Sequence, residues 1–261
     1  MGHSFSARYF SEKFEREGID AAYSKYPIEH IEEAEQLLRM PNLAGLNVTL
    51  PHKVAIIDYL DELDETAREI GAVNVVKKCK VQGAEGKVQG AKLVGYNTDA
   101  IGFMDSIRPL LRPEDKKALM LGTGGVSRAV RYGLIKLGVE VQPLSRHSVT
   151  PSPQKGKGDN ALTNELFPIT YDYLHENPEM LNEYTVIVNC TPLGMTPNIE
   201  TCPDIPYDKL GPQHLLFDCV YTPEETLFLR KGREQGCRTR NGMDMLYGQA
   251  IAAWKIWNNS R

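Results

Sequence analysis

Ala118-Leu119-Met120-Leu121-Gly122-Thr123-Gly124-Gly125-Val126-Ser127 is the stretch that decides the fold. Four apolar residues form a short buried strand, a glycine turn follows, and a helical pattern runs from Val126 to Leu137. After Gly138 the segment Val139-Glu140-Val141 resumes as a second strand, completing a βαβ unit. In such a unit Gly122 allows the tight turn and Gly124 lets the backbone approach a pyrophosphate. Ala129 is the small residue that lets helix pack on strand. Gly125, Val126 and Ser127 then open the helix, where free amides meet the phosphate. The plainer reading is a strand-turn-helix that needs glycine only for backbone geometry; the full βαβ context favours the dinucleotide. The second strand ends in Ser145-Arg146-His147-Ser148, with no acid to accept from a ribose 2′-hydroxyl. Arg146 suits a 2′-phosphate, so NADP is expected over NAD. Pro143 is a poor residue for a central strand and sits close to that position.

Two segments upstream carry the chemistry: Asn47-Val48-Thr49-Leu50-Pro51-His52-Lys53 and Asn97-Thr98-Asp99. A lysine and a carboxylate held together move a proton, and the glycine turn holds the donor of a hydride. Reduction of a carbonyl to an alcohol needs both. The competing roles are a solvated lysine at a helix start for Lys53 and a helix N-cap for Asp99.

Apolar runs of strand length alternate with helical patterns, the signature of an α/β protein on largely parallel sheets. Helices are expected over Ser6 to Glu17, Ile28 to Met40 and Pro51 to Ile70, with strands around Ala21–Pro27, Ala44–Thr49 and Ala72–Val76. A helix from Ile101 to Leu111 then opens a new unit, with a boundary near residue 100. Val149 to Pro168, with Pro151, Pro153, Gly156 and Gly158, has the composition of a mobile surface loop.

The 261 residues carry a net charge of −4 with basic residues dispersed among acids, which argues against nucleic acid as a partner. No apolar run is long enough for a bilayer and no leader opens the chain, so a soluble cytoplasmic protein is expected, with no membrane partner. Five cysteines, none in a C-x-x-C arrangement, fit a reducing compartment and give no metal site.

Ser4-Phe5-Ser6, Asn47-Val48-Thr49-x-Pro51-x-Lys53, Gly71-Ala72-Val73-Asn74, Asn97-Thr98-Asp99-x-x-Gly102 and the glycine turn occur in that order. Asn189-x-Thr191-Pro192-Leu193-Gly194-Met195, Asp218-x-Val220-Tyr221-x-Pro223 and Asn241-Gly242-Met243-x-Met245-Leu246-x-x-Gln249 follow them. The ordered set resembles the shikimate dehydrogenases over nearly the whole chain. The resemblance implies an open α/β substrate domain over 1–100, a Rossmann-type NADP-binding domain over 101–236 and a C-terminal helix over 237–261 that returns to the first domain. The active site would lie in the cleft between the two domains. It implies that Lys53 and Asp99 bracket the C3 hydroxyl of the ring, with Asp99 also binding substrate, and that Ser4 and Ser6 receive the substrate carboxylate. Thr49, Asn74, Gln249 and Tyr221 would bind ring hydroxyls, and Cys219 and Gly242 would lie near the nicotinamide. Relatives usually begin about ten residues earlier, with a strand reading into G-x-P-x-x-H-S-x-S, so the first strand of the substrate domain is expected to be missing. The partner is a small molecule, shikimate or 3-dehydroshikimate, and the state a monomer or homodimer. The alternatives are a quinate/shikimate dehydrogenase using NAD, which the lack of an acid after the second strand opposes, and a weakened nucleotide-binding relative.

Overall fold

The computed structural model describes residues 5–82, 88–146 and 167–259. The chain forms two compact units, residues 1–43 and 44–261. In the first, helix α1 (Phe5–Glu17) buries Phe10 and Phe14, and Tyr23 stacks on Phe10 at 5.0 Å between ring centroids. Gly18, at φ 62°, takes the left-handed turn that ends α1. Helix α2 (Ala34–Leu38) is only five residues long and follows a 3-10 turn over Ile31–Glu33, so the helix expected over Ile28 to Met40 is much shorter. The expected strand over Ala21–Pro27 does not form as a regular strand; Ala21 N–H turns back to the Ile19 carbonyl.

The second unit contains two sheets. Four strands, β1 (Gly45–Asn47), β2 (Glu62–Leu63), β3 (Val75–Gln82) and β4 (Val88–Tyr96), stand in the order β1-β3-β4-β2. The β1/β3 and β3/β4 pairs are antiparallel and only β2/β4 is parallel. The expectation of largely parallel sheets therefore fails in this half. The link between β3 and β4 is far too short for a parallel crossover, and a hairpin is the only solution.

The long helix expected over Pro51 to Ile70 is also absent. A turn over residues 51–54 leads into a 3-10 helix over Ala55–Tyr59, then β2, then helix α3 (Glu65–Ile70). Pairing wins over helical periodicity here. Asp61 exchanges backbone and side-chain hydrogen bonds with Leu93, and the Asp64 carboxylate caps α3 by accepting from Ala67 N–H at 2.8 Å.

The second sheet is fully parallel and has six strands: β5 (Lys117–Leu121), β6 (Glu140–Ser145), β7 (Ile169–Thr170), β8 (Val186–Asn189), β9 (Leu215–Asp218) and β10 (Arg238–Arg240). Their order is β10-β9-β8-β5-β6-β7. Helix α4 (Asp99–Ile107) leads in, α5 (Gly125–Lys136) crosses from β5 to β6, and α6 (Tyr171–Glu176) and α7 (Leu227–Glu234) follow β7 and β9. Alternate residues of β5, β8 and β9 fill two buried clusters, one around Phe103, Met120 and Phe217 and one around Leu119, Leu121 and Phe228, as a sheet covered on both faces requires. Pro143 is accommodated in β6 because Leu144 faces β5, accepting from Gly122 N–H, so Pro143 faces the β7 side. There β7 pairs only with Leu144 and Ser145, and no ladder bond is lost.

Helix α8 (Met243–Asn258) joins the two sheets. At one end Gly242 lies so close to Cys219 that a Cβ would stand 2.4 Å from its carbonyl oxygen. At its middle α8 crosses α4 with Gly248 against Gly102, where a Cβ on Gly102 would sit 2.4 Å from the Met245 oxygen. At its far end Trp257 donates to the Val76 carbonyl at 3.0 Å, and Lys77 donates to the Ile256 carbonyl at 2.8 Å.

Candidate active site

Lys53 is delivered by the turn after β1, which is pinned because Val73 N–H donates to the Lys53 carbonyl at 2.8 Å. Asp99 is the first residue of α4 and is buried. The two meet: Lys53 Nζ lies 2.7 Å from Asp99 Oδ2, with side chains 13% and 10% exposed. The other carboxylate oxygen accepts from Asn74 Nδ2 at 2.9 Å. Asn74 also accepts from Thr98 N–H at 2.7 Å, so its amide orientation is set and it fixes the start of α4. Asp99 is not the helix cap: the Asn97 side chain accepts from Ala100 N–H at 3.2 Å, leaving both Asp99 oxygens for Lys53 and Asn74. Asn97 in turn donates to the Ala72 carbonyl at 2.9 Å, tying α4 to the Gly71–Asn74 turn.

The remaining predicted positions distribute as follows. Thr49 is exposed on the turn that carries Lys53. Gln249, nearly buried on α8, faces Gly102, one turn into α4 from Asp99, and its amide donates to the Leu246 carbonyl at 3.0 Å. Ser6 lies inside the first turn of α1, which begins at Phe5; Ser4 lies outside the described residues.

Gly122 takes φ 97°, and a Cβ there would strike Thr191 Cγ2 at 2.7 Å, so both backbone sign and space demand glycine. A Cβ on Gly124 would meet nothing within 4 Å, and Gly124 caps α5, leaving an open approach to the helix amides. Gly125 packs under Leu50, Val126 is partly buried, and the Ser127 hydroxyl is turned inward onto the Gly124 carbonyl. Arg146 is exposed at the bend after β6, close enough to Tyr171 to act on it electrostatically. His147 and the loop expected over Val149 to Pro168 lie outside the described residues, save Phe167 and Pro168. An open turn at a helix N-terminus and, among the described residues, the Arg146 cation at the end of β6 suit a dinucleotide bearing a 2′-phosphate.

Several residues at the carboxyl ends of β8 and β9 stand in motifs that by themselves give them no role. The buried Asp218 carboxylate accepts from Asn189 Nδ2 at 3.0 Å, from Val220 N–H at 2.9 Å and from Thr226 Oγ1 at 2.5 Å. Burial nonetheless pushes its carboxyl up to about 6, because full desolvation outweighs three donors. Thr226 at the same time caps α7 by accepting from Leu229 N–H. This network fixes the loop bearing Cys219, Val220 and the exposed Tyr221, and Gly242 N–H donates to the Val220 carbonyl at 3.1 Å. A hydrogen bond with Cys190, then burial, pushes the Cys219 thiol well up, and the charges of Asp218 and Asp99 add to it. Thr226 carried no signal in the sequence beyond its place before an apolar run.

The second unit thus has the architecture of a dinucleotide-dependent α/β oxidoreductase, with a lysine–aspartate pair near one end of the parallel sheet. The model of the shikimate dehydrogenase substrate binding domain matches residues 1–76. A shikimate dehydrogenase (NADP(+)) of Bacillus cereus strain AH187 is 34% identical over 261 residues, covering 98% of this chain and 89% of that protein. Among solved structures, shikimate 5-dehydrogenase of Thermus thermophilus in complex with NADP(H) and shikimate is 30% identical with a TM-score of 0.75, covering 98% of this chain and 89% of that one. The Listeria monocytogenes enzyme in complex with shikimate and NAD is 27% identical with a TM-score of 0.76, covering 99% and 89%. The chain belongs to the shikimate dehydrogenase family of oxidoreductases. Among the described residues no helix is long and apolar enough to cross a membrane, and no cluster of three metal-ligating side chains occurs.

Proposed function

We propose that this protein catalyses the reversible NADPH-dependent reduction of 3-dehydroshikimate to shikimate, on the route to chorismate and the aromatic amino acids. The observation that carries the reading is the 2.7 Å contact between Lys53 and Asp99, with Asn74 on the second carboxylate oxygen. Gly122, Gly124, Gly125, Val126, Ser127 and Arg146 would hold NADPH, with Cys219 and Gly242 beside its nicotinamide, and the cofactor would supply the hydride when bound.

Lys53 gives its proton to the alkoxide that develops at C3 and stabilises the charge before transfer. Asp99 orients Lys53 and accepts a hydrogen bond from the substrate hydroxyl; in the reverse direction the C3 hydroxyl proton passes back to Lys53 as the hydride leaves C3. Asn74 keeps Asp99 in place, so its role is shared between substrate and pair. Thr49, Gln249 and Tyr221 offer neutral polar groups to the ring hydroxyls, which suits a polyhydroxylated substrate because an analogue lacking one leaves a group unpaired. Ser4 and Ser6 receive the carboxylate. A substrate domain over 1–100, a nucleotide domain over 101–236 and a returning helix over 237–261 is the division this reading uses; the span of α8 from Gly242 to Val76 supports it. Five free cysteines support a reducing, cytoplasmic setting.

The test is the rate of nicotinamide reduction by the purified protein with shikimate and NADP, then with NAD, then with quinate. Turnover with shikimate and NADP well above the other pairs is expected. Turnover with quinate and NAD alone would replace this reading with a quinate dehydrogenase.

A further inference from the structure

Cys190 and Cys219 are neighbours on adjacent parallel strands. Asn189 and Asp218 are register partners, and Cys219 N–H donates to the Asn189 carbonyl at 2.9 Å, so the next residue on each strand is a cysteine. The Asn189 and Asp218 side chains meet on one face of the sheet. By the alternation of strands Cys190 and Cys219 therefore share the other face, where both pack with Phe103, Phe217 and Met245. Cys190 lies close enough to Cys219 to be the first cause holding its thiol well above the ordinary range. Neighbouring strands run about 4.8 Å apart, inside the range of about 4.4–6.8 Å between Cα atoms that a disulfide spans. All five cysteines are free in this structure, and Cys79, Cys202 and Cys237 belong to other parts of the fold: β3, the loop before β9 and the residue just before β10.

We propose that Cys190 and Cys219 form an oxidisable dithiol that peroxide closes to a disulfide, and that closure stops turnover. The consequence for turnover rests on the proposed function, in which Cys219 borders the nicotinamide. In the first step a cysteine thiolate attacks peroxide; the O–O bond breaks, an S–O bond forms, and hydroxide leaves and takes up the thiol proton as water. In the second step the partner sulfur attacks the sulfenic sulfur, the S–O bond breaks with loss of a second water, and the S–S bond forms. Two thiols and one hydrogen peroxide thus give one disulfide and two waters. One sulfur of the pair attacks the peroxide and the other resolves it. Closure pulls both sulfurs out of their present packing, and the backbone at Cys219, with Gly242 in contact with its carbonyl, shifts to fit the S–S geometry. That displaces the wall against which the nicotinamide lies.

The experiment treats the full-length reduced protein with hydrogen peroxide and reads disulfide linkage by peptide mass mapping and activity by the shikimate–NADP assay. A Cys190–Cys219 peptide, at least tenfold loss of turnover and recovery of both on dithiothreitol are expected. Cys190→Ala keeps its untreated activity and resists peroxide, whereas Cys79→Ser and Cys202→Ser remain sensitive. Absence of the Cys190–Cys219 linkage overturns the proposal, as does its presence with turnover unchanged or equal peroxide loss in Cys190→Ala. The peptide map stands apart from turnover: an untreated protein inactive on shikimate sinks the functional reading, while the linkage is still decided by mass.

Discussion

The parallel sheet and the four-stranded sheet hold their functional residues in opposite ways. The parallel sheet is supported from within: two buried clusters cover its faces, and the Asn189–Asp218–Thr226 network fixes the loops at its carboxyl end. The four-stranded sheet has two strands of two and three residues and takes much of its support from the other half. Helix α8 lies on β3 through Trp257 and Lys77, Arg128 of the glycine-turn helix donates to the Gly71 carbonyl at 3.1 Å, and Lys136 of the same helix pairs with Glu69 at 3.0 Å. A nucleotide site built on a self-supporting sheet is ready before its ligand arrives. The Lys53–Asp99 pair, whose surroundings are held from the other sheet's side, stays sensitive to what happens there.

The sharpest test of that contrast is Lys53→Ala. Its kcat should fall by about two to four orders of magnitude, the usual range for a positioned acid/base group, while the Kd for NADP is unchanged. A KM effect with kcat held would make Lys53 a binding residue. Arg146→Ala should do the reverse. Loss of charge-assisted bonds worth about 1.5–3 kcal/mol weakens NADP about tenfold to a hundredfold and leaves NAD and kcat nearly untouched. Equal losses for NADP and NAD would remove Arg146 from the 2′-phosphate.

Asp218 tests the self-support of the parallel sheet through pH. Its carboxyl, raised to about 6 by burial, binds a proton more tightly folded than unfolded, so the stability it contributes is full below about pH 4 and is lost as pH rises through about 6. The span is worth about 3 kcal/mol. The stability of the native protein relative to Asp218→Asn, by urea unfolding, should therefore decline from pH 4 to pH 7; parallel profiles would show that the site is not desolvated in solution.

Gly102→Ala addresses the borrowed support and should be the mildest. A methyl group 2.4 Å from the Met245 oxygen forces α4 and α8 apart, at about 1–3 kcal/mol for overpacking. Because Gln249 sits at that crossing, KM for shikimate should rise severalfold while the NADP Kd holds. A matching loss of NADP affinity would mean the two halves are less separate than the contrast between the sheets requires.

The sequence alone determined whatever depends on short-range pattern. The βαβ unit around Gly122, with glycine conformation and apolar strand both local, reads directly, and β5 and α5 fall within a residue of expectation. Lys53 and Asp99, 46 positions apart, were paired by their chemistry and by family motifs, and they are in contact. Tertiary structure decided the rest. The stretch from Pro51 to Ile70 has helical periodicity, yet edge pairing with β4 and a new cap at Asp64 break it into a turn, a strand and a short helix. Asn74 owes its hold on Asp99 and Thr98 to the hairpin that returns β4 beside β3, and Asp218, Thr226 and Cys190 acquire their surroundings only when β8 and β9 lie side by side. Local propensity fixes a residue's backbone over a few positions. Burial, pairing and the partners of a polar side chain are set by residues far off in sequence, and only the assembled sheets bring those together.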